Sequence, residues 1–176
     1  SWRFKVPEKT IIVDDIIRGK VEFDTRLLGD FVIMKSDGQP TFHFAVSVDD
    51  ALMEITHVIR GEDHLSNTPR HILLFEALNC TPPKFAHLPM ILGPDGERLS
   101  KRHGAASVSE FRKLGYMPEA LINYLALLGW SPEGQKELLP PDDLIGQFTL
   151  EKVNKSASTF DYAKLNWVSA NYIRNE

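Results

Sequence analysis

The chain has 176 residues, of which 43% are hydrophobic and 25% charged, with a formal net charge of −4. That is enough apolar material for one large core or two small ones, which argues against a disordered chain, and no apolar run approaches the ~20 residues of a membrane helix or forms the h-region of a secretory signal. The acidic balance excludes a globally basic nucleic-acid coat but leaves room for a local basic face, and the single cysteine, Cys80, can build neither an internal disulfide nor a thiolate zinc site, which points to a reducing, cytoplasmic setting.

The chain opens Ser1-Trp2-Arg3-Phe4, without Met and with strand character, and is therefore expected to be a fragment. Strands are predicted where Phe4 and Val6 alternate with charges, over the β-branched run Thr10–Val13, and where Val21 and Phe23 alternate with Lys20, Glu22 and Asp24. Gly19 and Gly29 mark turns. Phe31–Met34 reads as a short buried strand, Ser36–Pro40 as a turn, and Phe42–Val48 as a further strand. Asp49–Glu54 is a short helix candidate and Ile55–Arg60 a strand ending at Gly61. Thr68-Pro69 opens a helix, with Thr68 as N-cap and Pro69 at its first position, which presents Ile72, Leu74, Phe75 and Leu78. Pro82-Pro83 stops it, and Phe85–Leu92 returns as strand. The β-α-β order predicts parallel strands and an α/β, doubly wound nucleotide-binding class.

Beyond Gly104 the hydrophobic period changes from about 2 to about 3.6. Ser107–Leu114 reads as one helix, and Pro118–Leu128 as a second with Leu121, Tyr124, Leu125 and Leu128 on one face. Pro140-Pro141-Asp142-Asp143 caps a third, carrying Leu144, Ile145 and Phe148. Asp161 opens a fourth, with Leu165, Val168 and Tyr172 in register. An all-α module is therefore expected after residue 105.

The richest chemistry lies in Gly93-Pro-Asp-Gly-Glu-Arg-Leu-Ser-Lys-Arg-His-Gly104. Its Gly and Pro make a loop, and Arg98, Lys101, Arg102 and His103 give it a concentration of cations unusual in an acidic chain. Glycine-flanked cations after a strand suit a phosphate group, because backbone can approach closely and lysine supplies a mobile charge. A solvated basic hairpin is the plain alternative. The loop is not a P-loop, since no G-x-x-x-x-G-K-[ST] occurs. Among the histidines, His57, His64 and His71 are evenly spaced, but Gly61 and Pro69 interrupt any single helix that would align them, and no H-E-x-x-H occurs; no protein-bound zinc is expected.

Arg98-Leu-Ser-Lys-Arg-His-Gly104 resembles the mobile signature loop of class I aminoacyl-tRNA synthetases in its glutamyl-type form. Ile55-Thr-His-Val-Ile-Arg-Gly-Glu-Asp-His64 with Asn67-Thr-Pro-Arg70, Pro118–Trp130 and Val153-Asn-Lys-Ser-Ala-Ser158 resemble bacterial glutamyl-type synthetases in the same order, over nearly the whole chain.

The resemblance implies activation of glutamate by ATP, brought with Mg²⁺, and transfer of the glutamyl group to tRNA through an adenylate. It assigns Lys101, with Arg98, to the catalytic stabilisation of phosphate charge. It assigns Asp63, Met90, Ile91, Ser100, Lys101 and Arg102 to ATP, the main chain of Met90 and Ile91 reading the adenine edge. Arg60, at the carboxyl edge of a strand, falls where the family binds the glutamate side chain through a planar fork; without the family, a surface ion pair to Glu62 or Asp63 is the simpler reading. The resemblance also assigns Phe42 and Val46 to the glutamate pocket; Phe42 stands where the family commonly has Tyr, which keeps the ring's packing without the hydroxyl's hydrogen bond, and Val46 where some members have Asn. Lys152, Asn154 and Lys155 fall in the tRNA stem-contact region.

The family's His-x-Gly-His signature is absent from the chain, and the first half of the nucleotide-binding fold is expected upstream of Ser1, as is an anticodon domain downstream. The resulting division is residues 1–25 as the end of the acceptor-binding insertion, 26–105 as the second half of the catalytic domain, and 106–176 as the helical stem-contact module. This polypeptide alone is expected to be inactive in ATP–pyrophosphate exchange, and its half sheet to be covered in a dimer or a crystal contact. A glutaminyl-type enzyme, a stand-alone glutamyl-transferring paralogue and a non-catalytic tRNA-binding module remain open.

Overall fold

The computed structural model describes residues 1–104 and 107–174. They form two compact units, Ser1–Leu88 and Pro89–Glu176. The boundary expected at 105/106 falls on residues outside the described ones.

The first unit is built on a four-stranded sheet in the order β3-β2-β6-β5. β2 (Thr10–Asp15) and β3 (Gly19–Asp24) make an antiparallel hairpin, and β6 (Lys84–Leu88) runs parallel to both β2 and β5 (His57–Gly61). The sheet is therefore parallel over β2, β6 and β5, with the antiparallel β3 at its edge rather than parallel throughout. β1 (Trp2–Phe4) pairs antiparallel with β4 (Phe31–Met34) in a separate ribbon. In β2 the period of two is strict: Ile11, Val13 and Asp15 are buried while Thr10, Ile12 and Asp14 face out. Ile11 and Val13 meet Leu73, with Phe4, Val6, Phe23, Leu28 and Ile72 around them. The inward phase thus carries a carboxylate, Asp15, as its last residue.

Residues 42–48 are helical, not a strand. They open α1 (Phe42–Leu52), which also absorbs most of the separate helix expected over 49–54. Thr41 takes an extended N-cap conformation directly after Pro40, and the Ser47 hydroxyl donates to the carbonyl of His43 one turn back at 2.9 Å. α2 (Thr68–Ala77) starts one residue earlier than expected, with Asn67 as N-cap, Thr68 inside the helix and Pro69 in the first turn, where its missing N–H costs nothing. The strand expected over 85–92 is broken. β6 ends at Leu88, Pro89 and Met90 intervene, and β7 (Ile91–Leu92) pairs in parallel with β8 (Ser158–Thr159), a strand that was not expected.

In the second unit α3 (Val108–Lys113), α4 (Pro118–Gly129), α5 (Pro141–Gln147) and α6 (Tyr162–Arg174) follow the expected order. Ser107 and Glu110 close a reciprocal capping box on α3. Phe111, Ala120, Leu121, Tyr124, Phe160, Leu165 and Val168 form the main core, and Trp130, Leu139 and Leu144 a smaller one. The buried face of α4 is rotated from the expected stripe, so Asn123 is buried and Leu125 is partly exposed, while Ile145 of α5 faces solvent. Buried Asn123 is satisfied: its amide oxygen accepts from the Leu139 N–H at 2.9 Å and the Tyr172 hydroxyl at 2.9 Å, and its NH₂ donates to the Glu137 carbonyl at 3.1 Å.

Candidate active site

Arg60 lies in β5 directly beside His87 of β6 in the parallel register. Its Nε–H donates to His87 Nε2 at 3.1 Å and its Nη2 to Thr68 Oγ1 at 2.9 Å and to the His64 carbonyl at 3.3 Å. Nη1 has a long contact of 3.5 Å to His71 Nδ1, so that edge of the guanidinium holds most of the remaining donor capacity. His71 Nε2 in turn lies 3.0 Å from His43 Nδ1. Burial pulls the Arg60 pKa below its ordinary value, Asp50 and Asp63 oppose the shift, and the group remains a cation.

His43, His71 and His87 are held toward the neutral form. Burial, then the Arg60 charge, holds His71 down at about 3, and burial with the Arg70 and Arg60 charges lowers His43. His87 is also lowered, by burial first, although its bond to Asp15 opposes this. Burial raises the nearby Asp50 carboxyl, with Arg60 acting against the shift. The result is a half-buried cation in a wall of uncharged imidazoles, a surface suited to receiving a carboxylate.

Phe42 opens α1 on this wall. Its ring lies 5.4 Å from that of His43, 6.1 Å from that of His71 and 6.2 Å from that of His64, and the residue is 56% exposed. Val46 sits one helical turn further along the same face and is half-buried. Asp63 is exposed just beyond Gly61 and interacts electrostatically with Arg60. Glu62 pairs with Arg18.

Sequence reasoning missed Asp15, His87, Thr68 and His71 as members of this network. Asp15 carried one usable signal, since a carboxylate on the inward phase of Ile11 and Val13 must be held by donors. Those donors are the N–H groups of Ile17 at 3.0 Å, Arg18 at 2.8 Å and His87 at 3.2 Å, and the His87 ring at 2.6 Å.

The second unit holds the cationic loop. The Gly93 N–H donates to the Glu97 carbonyl at 2.7 Å and the Leu99 N–H to the Ile91 carbonyl at 2.9 Å, folding residues 91–99 as a short hairpin with Gly96 at φ +78°. Ser100 then caps a 3₁₀ turn, Lys101–His103. The Ser100 N–H donates to His103 Nδ1 at 3.1 Å, and His103 Nε2 lies 2.9 Å from Asp95 Oδ2, which also pairs with Arg102 at 3.3 Å. The His103 bond, with the Glu97 N–H, lowers the Asp95 pKa. The ring of His103 packs on Gly93 so closely that a Cβ there would lie 2.9 Å from three ring atoms.

Arg98, Lys101 and Arg102 are exposed on this hairpin, and Ser100 is partly buried. The Met90 carbonyl accepts from the Ser158 N–H at 3.3 Å, so the main chain assigned to adenine also carries the β7–β8 pairing. Lys152, Asn154 and Lys155 are exposed around buried Val153, with Lys152 3.6 Å from Glu133 and the Asn154 N–H donating to the Gly129 carbonyl at 2.7 Å. Among the described residues, no group of three or more His, Cys, Asp or Glu is placed to hold a metal ion, and no helix is long and apolar enough to cross a membrane.

A strand-edge arginine and a cationic loop after a parallel strand belong to the nucleotide-binding α/β proteins, and the comparisons specify the branch. Residues 1–167 match the family of class I tRNA synthetases (E and Q), catalytic domain, and the chain belongs to that family. It is 56% identical over 173 residues to the glutamate–tRNA ligase of Heliobacterium modesticaldum, covering 98% of this chain and 35% of that protein. It is 58% identical over 174 residues to that of Aquifex aeolicus, covering 98% and 37%. The crystal structure of a glutamate tRNA ligase from Elizabethkingia meningosepticum in complex with its amino acid superposes with a TM-score of 0.91 at 42% identity, over 99% of this chain and 38% of that one. The chain thus spans little more than a third of the relatives it matches.

Proposed function

We propose that the chain supplies part of the active site of a glutamate–tRNA ligase working in the cytoplasm, which joins glutamate to ATP as an adenylate and passes the glutamyl group to tRNA. The observation that carries this reading is Arg60, a half-buried cation walled by neutral His43, His71 and His87. Its Nη1 edge takes the side-chain carboxylate of glutamate, with Phe42 and Val46 lining the approach. A neutral amide would forgo the pairing of opposite charges with the guanidinium, so glutamine is disfavoured.

On the loop, Lys101 and Arg98 stabilise the negative charge that gathers on the phosphate of ATP, which brings its own Mg²⁺. Ser100 and Arg102 add contacts there, and Asp63, Met90 and Ile91 address the nucleoside. The α-carboxylate of glutamate attacks the α-phosphate and pyrophosphate leaves; a hydroxyl of the terminal ribose of tRNA then takes the acyl group from the adenylate, and AMP leaves. Positioned cations act here as they do in other phosphoryl-group chemistry, by matching charge that develops in the transition state.

Residues 1–25 fit the end of an acceptor-binding insertion returning to the sheet, 26–105 the second half of the catalytic domain, and 106–176 a stem-contact module in which Lys152, Asn154 and Lys155 meet the tRNA backbone. The full-length protein carrying this segment should charge tRNA with labelled glutamate in an ATP-dependent reaction. Charging with glutamine in preference to glutamate, or no charging with either, would refute the reading.

A further inference from the structure

Asp15 has no place in the chemistry above and His87 enters it only as one wall of the Arg60 site, yet both are fully buried and joined at 2.6 Å. Asp15 ends the inward phase of β2, where an apolar side chain would pack. A buried carboxylate is retained there only because four N–H groups converge on it, from Ile17, Arg18 and both the backbone and ring of His87.

The ring of His87 joins this carboxylate to the guanidinium. Arginine Nε–H can only donate, so His87 Nε2, 3.1 Å away, must present a lone pair. The ring proton then sits on Nδ1 and is directed at Asp15. Thr68 closes the arrangement, since its hydroxyl accepts from Arg60 Nη2 at 2.9 Å and lies 3.2 Å from the same His87 Nε2. The guanidinium plane is thereby held at two points, Nε and Nη2, while Nη1 is left for a ligand.

We propose that Asp15 and His87 are positioning residues that fix the tautomer of the His87 ring and, through it, the orientation of the Arg60 guanidinium that receives the substrate's side-chain carboxylate. The proposal rests on the reading of Arg60 given above. The need for such an anchor is visible in the neighbourhood. Asp50 and Asp63 both attract the Arg60 charge, and a guanidinium free to turn toward either would be neutralised by the protein instead of by the substrate.

Two substitutions in the full-length synthetase separate the two contacts of His87. His87→Asn retains a donor near the position of Nδ1 for Asp15 but is too short to reach Arg60. His87→Gln places an acceptor near Nε2 for Arg60 and Thr68 but abandons Asp15. His87→Asn should raise KM for glutamate by about tenfold or more, the scale of a lost hydrogen bond to a charged group, with KM for ATP changed less than about twofold. His87→Gln should keep KM for glutamate within about threefold of the parent while lowering Tm, as expected from a carboxylate that has lost one donor.

Equal changes in both KM values, or none, in His87→Asn would overturn the proposal. Arg60→Gln tests the underlying reading separately. If it abolishes glutamate saturation while His87→Asn leaves it intact, the positioning role alone fails; if Arg60→Gln leaves glutamate saturation unchanged, the reading fails and the proposal with it. Nitrogen-15 spectra of histidine in the unmodified protein decide the matter even if a variant does not fold. They should show His87 neutral and protonated on Nδ1 at neutral pH, and an Nε2–H form or an imidazolium would contradict the assignment.

Discussion

His71 is a buried imidazole with a guanidinium on one side and a second imidazole on the other, and its protonation is costly for that reason. In the unfolded chain it takes up a proton near its ordinary 6.5; in the folded chain it does so only at about 3. Between those values the unfolded state holds the extra proton, so folding stability falls as pH drops below about 6.5, by about 1.4 kcal/mol per pH unit for this residue. His43 and His87, also lowered, add in the same direction. Asp15 does not contribute in this range, because its lowered carboxyl loses its stabilising charge only below the ordinary 3.8. Urea unfolding of the 176-residue chain should therefore show a loss of at least about 1 kcal/mol between pH 7.5 and pH 5.5. The loss should shrink by a similar amount in His71→Gln. A stability that is level over that interval would show that His71 accepts its proton without penalty.

Among the elements, α1 shows how a short pattern misleads. Phe42-His-Phe-Ala-Val-Ser-Val alternates and is rich in β-favouring residues, yet it is helical because Pro40-Thr41 sets an extended entry and the next four residues continue the helix to Leu52. Splitting the segment into a strand and a helix ignored that both halves satisfy one 3.6-residue period. Phe42 and Val46 share a face whichever element is assumed, because a spacing of four lies on one side of a strand and of a helix alike. The break at Pro89 was legible in principle, since proline cannot donate to a ladder. What replaced it, pairing of β7 with β8 more than sixty residues on, has no local signature.

The cationic hairpin offers a test at the same scale. From the sequence Gly93 serves only to make a loop, but its role in the structure is to leave room for His103, which Asp95 and Ser100 hold in place. Gly93→Ala should displace that ring and loosen the Lys101 turn, at a cost of about 1–3 kcal/mol to the local structure. Limited proteolysis within residues 93–104 should become faster while the rest of the chain keeps its resistance. An unchanged cleavage rate would mean that the hairpin does not depend on this contact.

Across the whole molecule, the α/β class, the order of the helices and the place of Arg60 near the end of a strand are readable, because hydrophobic periods, Pro and Gly positions and the ordered family motifs are local. The network behind Arg60 was not readable, because it depends on register. Arg60 and His87 are neighbours only through the parallel pairing of β5 with β6, and Asp15 reaches His87 only where β2 adjoins β6. The exposed Lys152 and Lys155 pose a question that belongs to this scale, contact with a long polyanion. Replacing both by Ala should weaken tRNA binding by the full-length protein at every sequence tested and reduce the salt dependence of log K by about 1–2 units of slope. An unchanged slope would remove them from the contact.

The central claim is that a carboxylate-bearing amino acid is recognised by Arg60. Glutamate-dependent, tRNA-stimulated ATP–pyrophosphate exchange by the full-length protein, compared between the parent and Arg60→Gln, tests it most directly. Loss of a desolvated charge pair should lower kcat/KM for glutamate by about 100-fold or more and leave KM for ATP near its parent value. Exchange with unaltered glutamate dependence in Arg60→Gln would contradict it.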